Sequence, residues 1–98
     1  MLELIKSAQF DRWLSALRDR QARVRIQARL DRYASGNPGD VKALGGGIAE
    51  MRIDHGPGYR VYFTQRGQLV ILLLCGGDKR SQSMDIAEAR RIAELWTE

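Results

Sequence analysis

The sequence predicts a small α+β domain over residues 1–98, with an antiparallel-rich four-stranded sheet, an N-terminal helical hairpin and a C-terminal helix, in the order β-α-α-β-β-β-α. Three observations lead there. Two helix-period apolar stripes fall in the first third of the chain. Two alternating apolar runs joined by a Gly/Pro turn, then an unbroken apolar run, fall between residues 50 and 75. A third helical pattern closes the sequence.

In order, Leu2 to Ile5 is a short apolar run suited to an edge or central strand, and Ser7 is placed to cap the helix after it. Phe10, Trp13, Leu14 and Leu17 then recur at i, i+3, i+4 and i+7, one apolar stripe facing the core. Asp19 suits the cap of a second helix, in which Ala22, Ile26, Leu30 and Tyr33 recur at helical spacing. This helix is expected to end near Gly36-Asn37-Pro38-Gly39. Arg25, Arg29 and Arg32 lie on its outer face, as solvated surface or as a binding patch. Asp40 to Ala49 reads as a connection whose triple glycine, Gly45-Gly46-Gly47, suggests a flexible turn or a close backbone approach; it lacks the lysine and spacing of a phosphate-binding P-loop.

The stretch from Glu50 to Gln82 organises the chain. Met51 and Ile53 share one strand face, and Glu50, Arg52 and Asp54 share the other. Tyr59, Val61 and Phe63 alternate in the same way with Arg60, Tyr62 and Thr64. His55-Gly56-Pro57-Gly58 is a turn, so the two runs form an antiparallel hairpin. Burying the two apolar sets together puts Arg52 and Arg60 on the same face. Two neighbouring guanidinium groups repel unless an anion sits between them, and Glu50 and Asp54 are the anions at hand. The face is then either a solvated surface with internal partners or a phosphate site, where arginine forks grip oxygens and Tyr62 stacks on a base or bonds a ribose. The expected arrangement leaves Arg52, Arg60 and Tyr62 on an open sheet face, with helices on the other side only.

Leu69 to Cys75 (LVILLLC) has no alternation, as in a strand buried on both faces. Gly76 to Gln82 should reverse direction and present Lys79 and Arg80. Asp85 and Glu88 have capping-box spacing before a helix from Ile86 to about Trp96, with Ile86, Ala89, Ala93 and Trp96 on one side.

Composition bounds the function. A hydrophobic content of 44% in 98 residues is enough for one core and too little for two. Cys75 is the sole cysteine, which excludes an internal disulfide and fits a reducing cytoplasm. The longest apolar run is far short of a membrane span and no signal-peptide layout opens the chain, so a cytoplasmic location without membrane association is expected. Of 16 basic residues 13 are arginine, against 12 acidic ones. The surplus lies in residues 1–35, with eight basic and four acidic groups, and points to a polyanionic or acidic partner.

One histidine and one cysteine exclude a zinc cluster, and no serine-nucleophile motif is present. No metal and no cofactor is expected. His55, in its turn, is open to reading as an exposed turn residue or a catalyst. The remaining inventory of Glu50, Arg52, His55, Arg60, Tyr62, Lys79 and Arg80 suits phosphodiester chemistry on RNA. There the substrate supplies its own 2′-hydroxyl nucleophile, and the protein positions the phosphate, helps proton transfer and stabilises charge.

The segments LGGGIAEMR (44–52), GYRVYF (58–63) and LLCGGDKRSQ (73–82), followed by Asp85-Ile86, resemble the RelE/ParE superfamily of toxin–antitoxin toxins. Within it they most resemble the HigB-like addiction module killer branch. The resemblance covers nearly the whole chain. It implies a bacterial toxin that is neutralised by a cognate antitoxin, a small helix-turn-helix protein from the adjacent gene. Many relatives cleave mRNA on the ribosome. By position, Arg60 matches the strand arginine at the scissile phosphate in RNA-cleaving relatives, and Lys79 falls with Arg80 in the basic loop after the last strand. Glu50 and Arg52 fall in the E-x-R strand. The resemblance thus implies an endoribonuclease with Arg60, Lys79, Glu50 and Tyr62 as catalytic groups and Arg52, Arg80 and His55 as RNA or phosphate contacts. The antitoxin is expected across this face or over the N-terminal helices, on Arg25, Arg29 and Arg32. Several relatives carry a tyrosine or histidine near the C-terminus for proton transfer, whereas this chain ends Leu95-Trp96-Thr97-Glu98. The general base then falls to Glu50, His55 or Tyr62. The alternative is the superfamily's gyrase-inhibiting branch, which shares the fold without ribonuclease chemistry.

Overall fold

The computed structural model describes residues 1–96; Thr97 and Glu98, which end the expected domain, lie outside the described residues. The chain runs β1 (Glu3–Lys6), α1 (Ala8–Ala16), α2 (Arg20–Ala34), β2 (Val41–Gly45), β3 (Ile48–Ile53), β4 (Tyr59–Arg66), β5 (Val70–Asp78), a single 3-10 turn (Lys79–Ser81) and α3 (Gln82–Leu95). The class is α+β, but the sheet has five strands rather than the expected four, in the order β1-β5-β4-β3-β2.

The additional strand is β2, inside the stretch Asp40 to Ala49 expected to be a connection with a glycine turn. It is short and lies at the sheet edge, so its periodicity is weak. Gly46 and Gly47 form a two-residue loop with Gly45 paired to Ile48, and both have positive φ (63° and 81°). Primed two-residue hairpin turns need that sign at one or both central positions, which glycine accepts without strain. The triple glycine is therefore a hairpin turn.

Ser7 and Asp19 cap their helices as expected. The Phe10 amide donates to Ser7 Oγ at 2.9 Å and the Ala22 amide to Asp19 Oδ1 at 3.2 Å. Ser7 Oγ also donates to the Leu74 carbonyl at 2.6 Å, tying the start of α1 to β5. Parallel pairing of β1 with β5 follows from the two-helix crossover between β1 and the antiparallel strands.

The β3–β4 register follows the alternation, with Glu50 opposite Tyr62, Met51 opposite Val61 and Arg52 opposite Arg60. Between β4 and β5 the pairing shifts after Tyr62, from Cys75 to Leu73. This bulge lets both Leu74 and Cys75 reach the same face as Leu72. One core forms beneath α1 and α2 around Phe10, Ile26, Leu30, Met51, Val61 and Phe63. A second forms beneath α3, where Ile48, Tyr62, Leu72, Leu74 and Ala89 meet Ile86, Ile92 and Trp96.

That second core corrects the expectation of an open face. The sheet is covered on both sides, because β5 is apolar on both faces and α3 supplies a matching stripe. Tyr62 is fully buried. The reversal expected over Gly76 to Gln82 is also later than predicted. Strand β5 continues to Asp78, and α3 begins at Gln82 instead of Ile86. Gly76 and Gly77 leave room for close approach: a Cβ would lie 2.3 Å from the Trp13 ring at Gly76 and 1.8 Å from Asp85 Oδ2 at Gly77. Asp85 does not cap α3. It sits in the first turn and accepts from Ser81 Oγ at 2.5 Å, while Asp78 and Ser81 make the capping box of the 3-10 turn.

Candidate functional site

The site grows from β3 and β4, whose even-numbered residues share a face near the strand ends. Glu50 is fully buried there and surrounded by donors. Arg52 Nε donates to Oε1 at 3.1 Å, and Gln82 Nε2 donates to Oε2 at 3.0 Å from the first residue of α3. Arg60 Nε stands 3.9 Å from Oε2, outside hydrogen-bonding distance. Arg60 is only 9% exposed, and its Nε is one of two buried side-chain polar atoms without a partner among the described residues. The other is the Tyr62 hydroxyl.

These contacts decide what each group does. Glu50 neutralises two guanidinium groups that would otherwise repel, and its oxygens are engaged, so it serves as their internal counter-ion. Burial raises the Tyr62 hydroxyl pKa, and the nearby carboxylates of Glu50 and Asp85 raise it further. Tyr62 therefore stays protonated beneath α3 and offers no face for a base. Cys75 is likewise inert. Its thiol donates to the Asp85 carbonyl at 3.3 Å, and burial, with help from Asp85 and Glu88, pushes its pKa up to about 12.

Arg52 and Arg60 open onto a cleft of about 290 Å³ with Lys79, closed on one side by the Gly56-Pro57-Gly58 turn and rimmed by Asp40 and Asp54. Gly58 makes room for the lysine, since a Cβ there would sit 3.2 Å from Lys79 Cγ and Cδ. Three cations from two strands and the following 3-10 turn thus meet in one cleft, the arrangement that suits a bound oxyanion.

Other expected site residues go elsewhere. His55 Nε2 lies 3.0 Å from Asp19 Oδ2, joining the β3–β4 turn to the cap of α2, and it does not line the cleft. The Ala22 amide, then His55, hold the Asp19 carboxyl below its ordinary range. Arg80 is largely exposed, with Asp78 at 3.6 Å, and is also outside the cleft. The α2 arginines divide. Arg29 reaches inward and donates to the carbonyls of Arg52 at 2.5 Å and Asp40 at 3.2 Å, while Arg25 and Arg32 remain exposed. All three line a second groove of about 240 Å³ with Ile53 and Asp54.

Gln82 was missed as a site residue, although it lies three residues after Lys79 in the segment that carried the resemblance. A neutral amide at a helix start gives no charge signal, and only the fold shows Glu50 beneath it. The terminal Leu95-Trp96-Thr97-Glu98 holds no tyrosine or histidine, and its last two residues lie outside the described residues. Among the described residues no helix is long and apolar enough to cross a membrane.

Residues 12–97 match the family described as Phage derived protein Gp49-like (DUF891), and the chain belongs to this family of addiction-module toxin-like proteins. It is 47% identical over 85 residues to an uncharacterized protein of Haemophilus influenzae strain Rd, a match covering 87% of this chain and 86% of the relative.

Proposed function

We propose that the protein is the toxin of a type II toxin–antitoxin module, a HigB-like member of the RelE/ParE superfamily that cleaves mRNA on the ribosome. The observation that carries this reading is the convergence of Arg52, Arg60 and Lys79 on one cleft, with the two arginines braced by buried Glu50. The family's toxin-like character supports it.

In this reading the scissile phosphate lies against Arg60 and Lys79. The RNA's own 2′-oxygen attacks phosphorus, the bond to the 5′-oxygen breaks, and a 2′,3′-cyclic phosphate and a 5′-hydroxyl result. The guanidinium fork of Arg60 and the ammonium of Lys79 stabilise the charge that builds on the phosphate oxygens. Glu50 is a positioning residue. Asp54, exposed on the cleft rim and in no ion pair among the described residues, takes the 2′-hydroxyl proton. Solvent supplies the proton to the leaving 5′-oxygen. The partner is an antitoxin from the adjacent gene, whose acidic segment neutralises the basic surface, and the protein acts in the cytoplasm.

The test is a labelled mRNA on purified programmed ribosomes. Cleavage with a 2′,3′-cyclic end is expected, and its loss on 2′-deoxy substitution at the cut. No cleavage, together with inhibition of DNA gyrase by the same preparation, would move the protein to the gyrase-inhibiting branch.

A further inference from the structure

The α2 groove adjoins the cleft at the end of β3, because Ile53 and Asp54 line both. We infer that the groove is the track for the RNA strand flanking the scissile phosphate, with Arg25 and Arg32 as its phosphate contacts. The inference rests on the ribonuclease reading above and extends it from one phosphate to a run of nucleotides.

Arg25, Arg29 and Arg32 follow one another at i, i+4 and i+7 on α2, a spacing at which like charges destabilise a helix. Arg29 is held inward by backbone carbonyls, which fixes the groove wall to the end of β3. Arg25 and Arg32 make no ion pair with any described residue. They are two helical turns apart, about 10 Å along the axis, a span longer than one nucleotide. The groove's one lining carboxylate, Asp54, stands where it joins the cleft. Charge complementarity and the shared border with the cleft therefore favour an extended polyanion whose neighbouring phosphate occupies that cleft.

The experiment uses fluorescent single-stranded oligodeoxynucleotides, which lack the 2′-hydroxyl and are not cut. One is short enough to fill only the cleft, and the other is long enough to reach α2. Arg25→Ala/Arg32→Ala should leave the short probe's affinity unchanged and weaken the long one. The long probe's slope of log affinity against log salt should fall by about 0.7 for each arginine removed. Arg60→Ala should weaken both. Because Arg25 and Arg32 are exposed, circular dichroism should show the double variant folded. An unchanged long-probe slope, with Arg60→Ala still weakening the short probe, would overturn the track and leave the cleft standing. If the double variant loses only its affinity for the adjacent-gene antitoxin, the groove is a protein site and the track is overturned. A short probe indifferent to Arg60→Ala would instead remove the reading beneath it.

Discussion

Arg52 and Arg60 face each other directly across β3 and β4, and the carboxylate that reconciles them, Glu50, is fully buried. Glu50 holds Arg52 at 3.1 Å and Gln82 at 3.0 Å but leaves Arg60 Nε 3.9 Å away. Arg60 is thereby nearly enclosed without being locked to its counter-ion, which in the proposed reaction leaves it free to turn to a phosphate.

Removing the charge at Glu50 should expose this dependence. Glu50→Gln leaves two close guanidinium groups without an anion, and breaking a buried pair from one side costs about 3–5 kcal/mol. Adding Arg60→Met to Glu50→Gln should recover part of that loss, which urea denaturation of both variants measures. A Glu50→Gln protein as stable as the parent would show that the pair is not coupled.

The close approach at Gly77 gives a second stability prediction. A Cβ there would meet Asp85 Oδ2 at 1.8 Å. Gly77→Ala should force α3 to shift, with a cost of about 1–3 kcal/mol from overpacking. Thermal melting reads this directly, and an unchanged midpoint would mean that α3 adapts freely.

Much of the hairpin was legible because strand alternation is strict there. The parity of Glu50, Arg52, Arg60 and Tyr62 follows from which residues must be buried, and the register confirms it. The accessibility of Tyr62 was misread. LVILLLC demands cover on both sides, and that cover is α3, whose stripe reads equally well against either face in one dimension. Strand β2 was missed because an edge strand of five residues has little periodicity, although the triple glycine that ends it does read as a turn. His55 looked like a candidate base through its chemistry alone. Its contact with Asp19 is separated by 36 residues, beyond the reach of local patterns.

The Asp19–His55 contact has a pH signature. The Asp19 pKa is lowered from its ordinary 3.8 by the Ala22 amide and then by His55. A depressed carboxyl pKa contributes stability that is complete above the unfolded value and is lost as pH falls through the folded one. Asp19→Asn should therefore flatten the acid limb of the stability curve below about pH 3.8. Stability measured across that range in both proteins checks it; identical acid limbs would contradict it.

Cys75 should resist modification. With its thiol pKa near 12 and 3% of its surface exposed, alkylation by iodoacetamide at mildly alkaline pH should be slow in the folded protein and fast in urea. Rapid labelling of the native protein would show that the face under α3 opens readily.

The central claim is that Arg60 acts on a phosphate in the cleft, and the most direct measurement maps mRNA 5′ ends after induction of the wild-type chain and of Arg60→Lys and Arg60→Ala at matched protein levels. Loss of one charge-stabilising contact costs on the order of 10² to 10³ in rate. New 5′ ends should therefore appear with the wild type, fall sharply with the lysine, which keeps the charge but not the fork, and vanish with the alanine. Equal cleavage by all three folded proteins would contradict the account.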